Sequence, residues 1–336
     1  MYMSDNSALD SIKMLPAQIR QTLENIEKLD FSPIPAVKNI AIAGMGGSIY
    51  NYHVIRSLFK NELALPLIAV NEYGMPASVG KDTLFIASSY SGSTEEVVYN
   101  LKQAYEKGAQ CVVLTAGGEI AEFSKKHNIP LYQFDPINNP SGQPRMGQGY
   151  MIFGVIGLLS KIGLLQTIPI EEVLKEIETL EQHISTSARA CAQEIGYGIT
   201  IYVAAEHLAG NAHIIRNQTN ETAKAYADYH LISEMNHHLM EGLKNPKDKK
   251  LMFIFFESQL YFPRIQERFA LTRDVVEKNE ISIVRYSCQG KSKIVQVLEV
   301  LMWGGYLTYF LSEKYGENPN AIPWVDYFKE KLGKMV

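Results

Sequence analysis

The sequence predicts an α/β protein made of two doubly wound parallel-sheet domains joined by helices. Three observations point there. The chain has 336 residues, about twice the size of an ordinary single domain. Short apolar runs of strand length alternate with stretches of helical pattern, the arrangement that builds βαβ units. The alternation breaks once, in the turn-rich Asp135-Pro136-Ile137-Asn138-Asn139-Pro140-Ser141-Gly142-Gln143-Pro144, and then resumes.

Taken in order, residues 1–35 carry Leu9, Ile12, Leu15, Ile19, Leu23 and Ile26 at helical spacing before the breakers Pro33 and Pro35, which predicts a helical leader. The first sheet domain, 36–146, has strand-like runs at 40–43, 67–70, 84–88, 111–115 and 130–134. Residues 147–192 predict two linking helices, with Pro169 near their junction, where its missing N–H and fixed φ suit a helix start. The second domain, 193–336, has strand runs at 199–204, 251–256 and 281–286, a helix over about 293–314 and a C-terminal helix or tail. Leu301, Trp303, Leu307 and Phe310 of that long helix read as an interface stripe or equally as a core face. A short internal repeat is visible, because the run 40–44 followed by His53-Val54-Ile55-Arg56 parallels 199–203 followed by His213-Ile214-Ile215-Arg216.

Composition removes several functions. With 46% apolar and 20% charged residues the chain can bury a large core. Its 32 basic and 36 acidic residues give a net charge of -4 without a long basic block, so no nucleic-acid partner is expected. Cys111, Cys191 and Cys288 have neither metal-ligand spacing nor a disulfide pattern. The first residues lack the features of a signal peptide, and the apolar run 150–159 is well short of the roughly 20 residues that cross a bilayer, so a cytoplasmic protein without a membrane partner is expected.

Two segments carry chemistry in the first domain. Gly44-Met45-Gly46-Gly47-Ser48 lies between a strand and a helix, where bare backbone and free helix-end N–H groups suit an anion. It lacks the full dinucleotide fingerprint, having Ile49, and also the lysine of a P-loop. Ser88-Ser89-Tyr90-Ser91-Gly92-Ser93-Thr94-Glu95-Glu96 occupies the same kind of junction. Ser93 and Glu96 predict a capping box, which leaves the other hydroxyls to be explained; a phosphate monoester held by hydroxyl and N–H donors explains them.

This pair of turns resembles the sugar isomerase (SIS) domain. The resemblance extends through Pro144-Arg145, Asn220-Glu221-Thr222-Ala223-Lys224, Glu234-Met235-Asn236-His237-His238 and Ile322-Pro323-Trp324-Val325-Asp326-Tyr327-Phe328-Lys329 to the bifunctional phosphoglucose/phosphomannose isomerase family, over about residues 38–332. It implies two SIS-type domains and interconversion of glucose 6-phosphate, and mannose 6-phosphate, with fructose 6-phosphate. It also implies the roles of residues. Glu221 stands for the base, His237 for the ring-opening histidine, Arg145 for the cation facing the enediolate and Lys329 for a second ring-opening group. Ser48, Ser89, Ser91 and Thr94, with the backbone of Gly46 and Gly47, stand for the phosphate ligands. No metal or other cofactor is implied, and the partner is a second copy, in a homodimer with shared active sites and His237 acting in trans.

The chemistry is consistent with those residue types. Moving a proton between C1 and C2 through a cis-enediol needs one carboxylate, a fixed cation beside the developing oxyanion, and an acid/base for the ring oxygen. From the residues alone, Glu221 with Lys224 also reads as a surface ion pair, His237 as a structural histidine and Arg145 as a solvated charge. His207, His213, His230, His237 and His238 do not have the spacing of a metal site. The family's usual small residues after Ser48 are replaced by Ile49, Tyr50, Asn51 and Tyr52, and residues 316–328 contain no threonine, a residue the family associates with tolerance of both C2 epimers. By that departure mannose 6-phosphate is less expected as a substrate than glucose 6-phosphate. Two other expectations stay open: a sugar-phosphate sensor without turnover, and an isomerase of an amino-sugar or heptose phosphate.

Overall fold

A computed structural model describes residues 6–31, 34 and 36–333. Contacts divide the chain into one unit running through Ile170 and another spanning Glu171–Glu330.

In the first unit, α1 (Ser7–Lys13) and α2 (Leu15–Lys28) form the leader that the apolar spacing predicts; the breakers Pro33 and Pro35 lie outside the described residues. Alternating strands and helices follow: β1 (Asn39–Ala43), α3 (Tyr50–Leu58), β2 (Leu67–Val70), β3 (Thr83–Ser88), α4 (Glu95–Glu106), β4 (Gln110–Thr115), α5 (Gly118–His127) and β5 (Leu131–Gln133), closed by α6 (Gln148–Lys161). The five strands are parallel in the order β2-β1-β3-β4-β5. Ile40 to Ala43 are fully buried, as are Leu84 to Ala87, because helices cover both faces of the sheet. Burial therefore produces the unbroken apolar runs seen in the sequence. Strand order reverses between β1 and β3, and the crevice outside the carboxyl ends of such strands is where open α/β sheets bind ligands.

The second unit begins with α7 (Ile170–Glu194) and continues with β6 (Ile199–Ala204), α8 (Ala209–Thr222), β7 (Ala227–Leu231), α9 (Leu239–Gly242), β8 (Leu251–Glu257), α10 (Pro263–Lys278), β9 (Ser282–Ser287), α11 (Lys293–Tyr315) and α12 (Pro323–Leu332). Its strands are also parallel, in the order β7-β6-β8-β9. β7 is a strand that the pattern reading passed over. Its sequence Ala-Asp-Tyr-His-Leu is half polar because only one end of this edge strand is deeply buried. By length and composition α11 would suffice to cross a membrane, yet Trp303, Leu307 and Phe310 are buried within the unit, so their apolarity serves a core.

The helices expected as a separate linker, 147–192, are divided by these contacts. α6 packs on α2 and α3 and belongs to the first unit, whereas α7 belongs to the second. The cause is in the sequence of α6, whose residues Tyr150 to Leu159 are buried on all sides and need neighbours all round.

The internal repeat has a structural counterpart. The order β2-β1-β3-β4 is repeated as β7-β6-β8-β9. After β1 an extended Met45 is followed by Gly46 at φ 52 and a 3₁₀ turn, Gly46–Ile49; after β6 an extended Ala205 is followed by Glu206 at φ 43 and a 3₁₀ turn, Glu206–Leu208. In the second copy both carboxylate oxygens of Glu206 accept the main-chain N–H of Phe262, at 3.2 and 3.3 Å, at the start of α10.

Candidate active site

In the first unit the two turns predicted to hold phosphate leave adjacent strands and are bonded to each other. Ser48 Oγ accepts the main-chain N–H of Tyr90 at 2.9 Å, and the Ser88 hydroxyl donates to the carbonyl of Ser48 at 2.8 Å. Asn51 Nδ2 donates to Ser88 Oγ at 2.8 Å and to the carbonyl of Met151 at 3.2 Å, tying the turn to α6. Ser48, Ser88 and Ser89 are buried. Ser89 Oγ lies 2.9 Å from Thr94 Oγ1 and accepts the N–H of Gly92 at 3.1 Å. Ser91 is exposed at the tip, its Oγ accepting the N–H of Ser93 at 3.4 Å.

The capping box expected from Ser93 and Glu96 is not formed. Thr94 is the N-cap of α4, with extended backbone, and no side chain caps the helix. The Ser89–Thr94 contact holds the Thr94 hydroxyl instead, so the first-turn amides have no side-chain acceptor of their own, as a helix end that receives an anion requires. A third turn supports this loop. A Cβ on Gly92, which sits at φ 72, would collide with the carbonyl of Gly117, so the turn after β4 packs directly against the hydroxyl loop.

Arg145 is the largest departure from the residue-by-residue reading. A guanidinium in a polar loop is ordinarily solvated, but here it is 1% exposed in a 3₁₀ turn, Pro144–Met146. Its Nη1 donates to Gln143 Oε1 at 2.9 Å, part of the compensation a buried charge needs. Gly47 brings the arginine to the phosphate turn, since a Cβ there would lie 2.9 Å from the carbonyl carbon of Pro144 and 3.0 Å from the nitrogen of Arg145. The aromatic ring of Tyr90 fills the space behind, and its hydroxyl accepts from Asn139 Nδ2 at 2.7 Å. Burial pushes the Tyr90 phenol up to about 12, so it stays neutral.

Sequence reasoning had no signal for Asn51, Gln143 or the 115–118 turn as parts of this site. The glycine pair Gly117-Gly118 after a strand was the available hint, because it repeats the punctuation of the first turn.

In the second unit the three remaining residues stand on separate elements. Glu221 is half-buried in the last turn of α8. Its neighbours fix that turn. Thr219 Oγ1 donates to the carbonyl of Ile215 at 2.8 Å, so its 2.7 Å contact with Tyr202 receives the phenolic proton. Asn220 grips both backbone groups of Ala227 on β7. Lys224, the i,i+3 residue of the ion-pair reading, sits at φ 53 and donates to the carbonyls of Thr222 and Asn318.

His237 is exposed at the end of a 3₁₀ turn, Glu234–His237, that follows β7. Lys329 is exposed on α12, a helix without buried residues. His207, His213 and His230 are withdrawn from solvent, wholly or in part. His207 is buried and donates from Nε2 to Gln296 Oε1 at 2.8 Å, an oxygen that also accepts from Ser258 at 2.6 Å. Burial lowers the basicity of His207 and His230, and burial aided by Arg216 lowers His213 to about 4. Among the described residues no group of three or more His, Cys, Asp or Glu side chains is arranged to hold a metal ion.

Comparison with known proteins bears on the fold and the reaction class. Residues 184–332 match the family model described as bacterial phospho-glucose isomerase C-terminal SIS domain. A bifunctional phosphoglucose/phosphomannose isomerase from Caldicellulosiruptor bescii is 28% identical over 97% of this chain and 99% of its own, and one from Aquifex aeolicus is 28% identical over 93% and 94%. The chain is thus similar over nearly its whole length to bifunctional phosphoglucose/phosphomannose isomerases. The fold is similar to that of tagatose-6-phosphate ketose/aldose isomerase from Escherichia coli, with a TM-score of 0.75 at 14% identity over 95% of this chain and 97% of that one. The expected architecture of two parallel-sheet α/β domains is borne out, and the second of them carries the SIS match.

Proposed function

We propose that this chain is a sugar-phosphate isomerase interconverting glucose 6-phosphate and fructose 6-phosphate by a cis-enediol route, with mannose 6-phosphate as a poorer substrate. The observation that carries the proposal is that the Ser48 turn is bonded to the hydroxyl loop of Ser89 to Thr94 and packs at Gly47 against the backbone of buried Arg145. Hydroxyls and uncapped amides suit the phosphate, while Arg145 keeps its charge at any working pH and supports the enediolate oxygen. Ser91 and Thr94 complete the phosphate ligands, together with the backbone of Gly46 and Gly47. Glu221 takes the C2 proton of the aldose and returns it at C1, while the proton of the C2 hydroxyl passes to the oxygen on C1. His237 takes the proton of the C1 hydroxyl and gives one to the ring oxygen, breaking the C1–O5 bond and leaving the aldehyde; Lys329 assists there. No step calls on a metal.

The test is a coupled assay with both aldose phosphates, with and without chelator, on the wild-type protein and Glu221→Gln. Turnover that survives chelation and falls at least a thousandfold in Glu221→Gln is expected, within the range lost with other catalytic groups. Binding without turnover by the wild type would replace the isomerase with a sensor, and turnover confined to an amino-sugar or heptose phosphate would change the substrate. The reading includes a homodimer in which His237 serves the neighbouring copy. Mixed Glu221→Gln and His237→Ala chains then regain activity on subunit exchange, and no recovery would place both groups in one chain.

A further inference from the structure

We infer that Asn236, clamped by Thr272 and Arg268 of α10, is the positioning residue that sets the orientation of His237. The inference rests on the ring-opening role proposed for that histidine.

The turn that carries His237 is strained where it starts and exposed where it ends. Ser233, just before it, has φ 80 and ψ -62, the dihedrals of a γ-turn of the less common hand, and such backbone persists only where the surroundings over-determine it. His237 itself projects from the surface. Two side chains between them anchor the segment. Met235 is buried in the unit's core. Asn236 uses both ends of its amide: Nδ2 donates to Thr272 Oγ1 at 2.8 Å, and Oδ1 accepts from Arg268 Nη1 at 3.2 Å.

The hydrogen-bond pattern fixes which way the amide points. Thr272 is buried, and its hydroxyl proton goes to the carbonyl of Arg268 at 2.6 Å, so towards Asn236 it can only accept. Arg268 can only donate. An amide meets both demands in one orientation; a carboxylate would set two acceptors against each other at Thr272, and an alkyl side chain would meet neither. This precision is more than a surface turn needs, and it is placed on the residue bonded directly to His237.

The measurement separates ring opening from isomerisation. Exchange between the α and β anomers of glucose 6-phosphate, followed by two-dimensional NMR, reports ring opening alone, and the coupled assay reports isomerisation. The variants are Asn236→Ala, Thr272→Val and Thr272→Ser, each checked for a wild-type circular dichroism spectrum and melting transition. Catalysed anomer exchange is expected to fall roughly ten- to hundredfold in Asn236→Ala and Thr272→Val. It is expected to return in Thr272→Ser, and KM for fructose 6-phosphate should change less than twofold. Glu221→Gln, in contrast, keeps anomer exchange while losing isomerisation. Wild-type anomer exchange in a folded Thr272→Val overturns the positioning role. Absence of catalysed exchange in the wild type overturns instead the ring-opening role of His237, and full isomerisation by Glu221→Gln the assignment of the base.

Discussion

The hydroxyl of Ser48 accepts the main-chain N–H of Tyr90 at 2.9 Å, so the glycine turn after β1 and the hydroxyl loop after β3 are held as one surface before any ligand arrives. Replacing Ser48 by Ala leaves a buried N–H unpaired, which costs about 1–3 kcal/mol of stability, measured by urea unfolding. The contact proposed with the phosphate would persist through the reaction, so KM for glucose 6-phosphate should rise about tenfold with kcat little changed. A larger fall in kcat than rise in KM would contradict that assignment.

Adjacent glycines should behave differently. Alanine at Gly46 meets no atom within 4 Å and suffers only from φ 52, a penalty of about 1–2 kcal/mol. Alanine at Gly47 presses on the backbone of Pro144 and Arg145. For an arginine proposed to face the enediolate, a displacement of about 1 Å is expected to lower kcat/KM about a hundredfold. Steady-state kinetics and thermal melts of the two variants check the contrast.

Stability should weaken in mild acid, through His213. Burial holds this group at about 4 in the folded chain against 6.5 for a fully solvated histidine. A depressed histidine favours the neutral form, so its contribution is complete above pH 6.5 and is lost as pH falls towards 4, because only the unfolded chain takes up the proton. The loss amounts to roughly 2–3 kcal/mol after allowing for partial exposure. Unfolding free energies at about pH 7.5 and about pH 5 should diverge less in His213→Gln than in the wild type; equal divergence would remove His213 as the cause.

Epimer preference is the fourth expectation. With no threonine in residues 316–328, kcat/KM for glucose 6-phosphate should exceed that for mannose 6-phosphate by about tenfold or more, a ratio within reach of one or two pocket contacts. Introducing threonine singly along that segment, with both substrates assayed, shows whether the ratio closes.

What the sequence made legible follows from which interactions are local. Strands buried on both faces leave unbroken apolar runs, so 40–43 and 199–204 could be read directly. β7 escaped because an edge strand keeps polar residues such as Asp228 and His230. The phosphate turns were visible in their glycine and hydroxyl composition. The burial of Arg145 was not, because it depends on Gly47, distant along the chain, letting two backbones touch. Capping failed as a prediction for a related reason: Ser93 and Glu96 have the spacing, but Ser89, five residues before Thr94, engages its hydroxyl. Asn236 stood in a recognisable motif, but its clamp gave no signal, since its partners lie on a helix further along the chain.

The repeat also shows how two copies of one supersecondary plan part ways. Where the first copy leaves Gly46 bare, the second has grown a side chain, and Glu206 delivers its own carboxylate to the backbone at the head of α10. One copy thus carries permanently, as part of its chain, the kind of negative group that the other leaves to be supplied from solution. The two turns therefore differ in one respect that chemistry can use: the helix end beside Glu206 already faces a carboxylate of its own chain, and the one beside Gly46 does not.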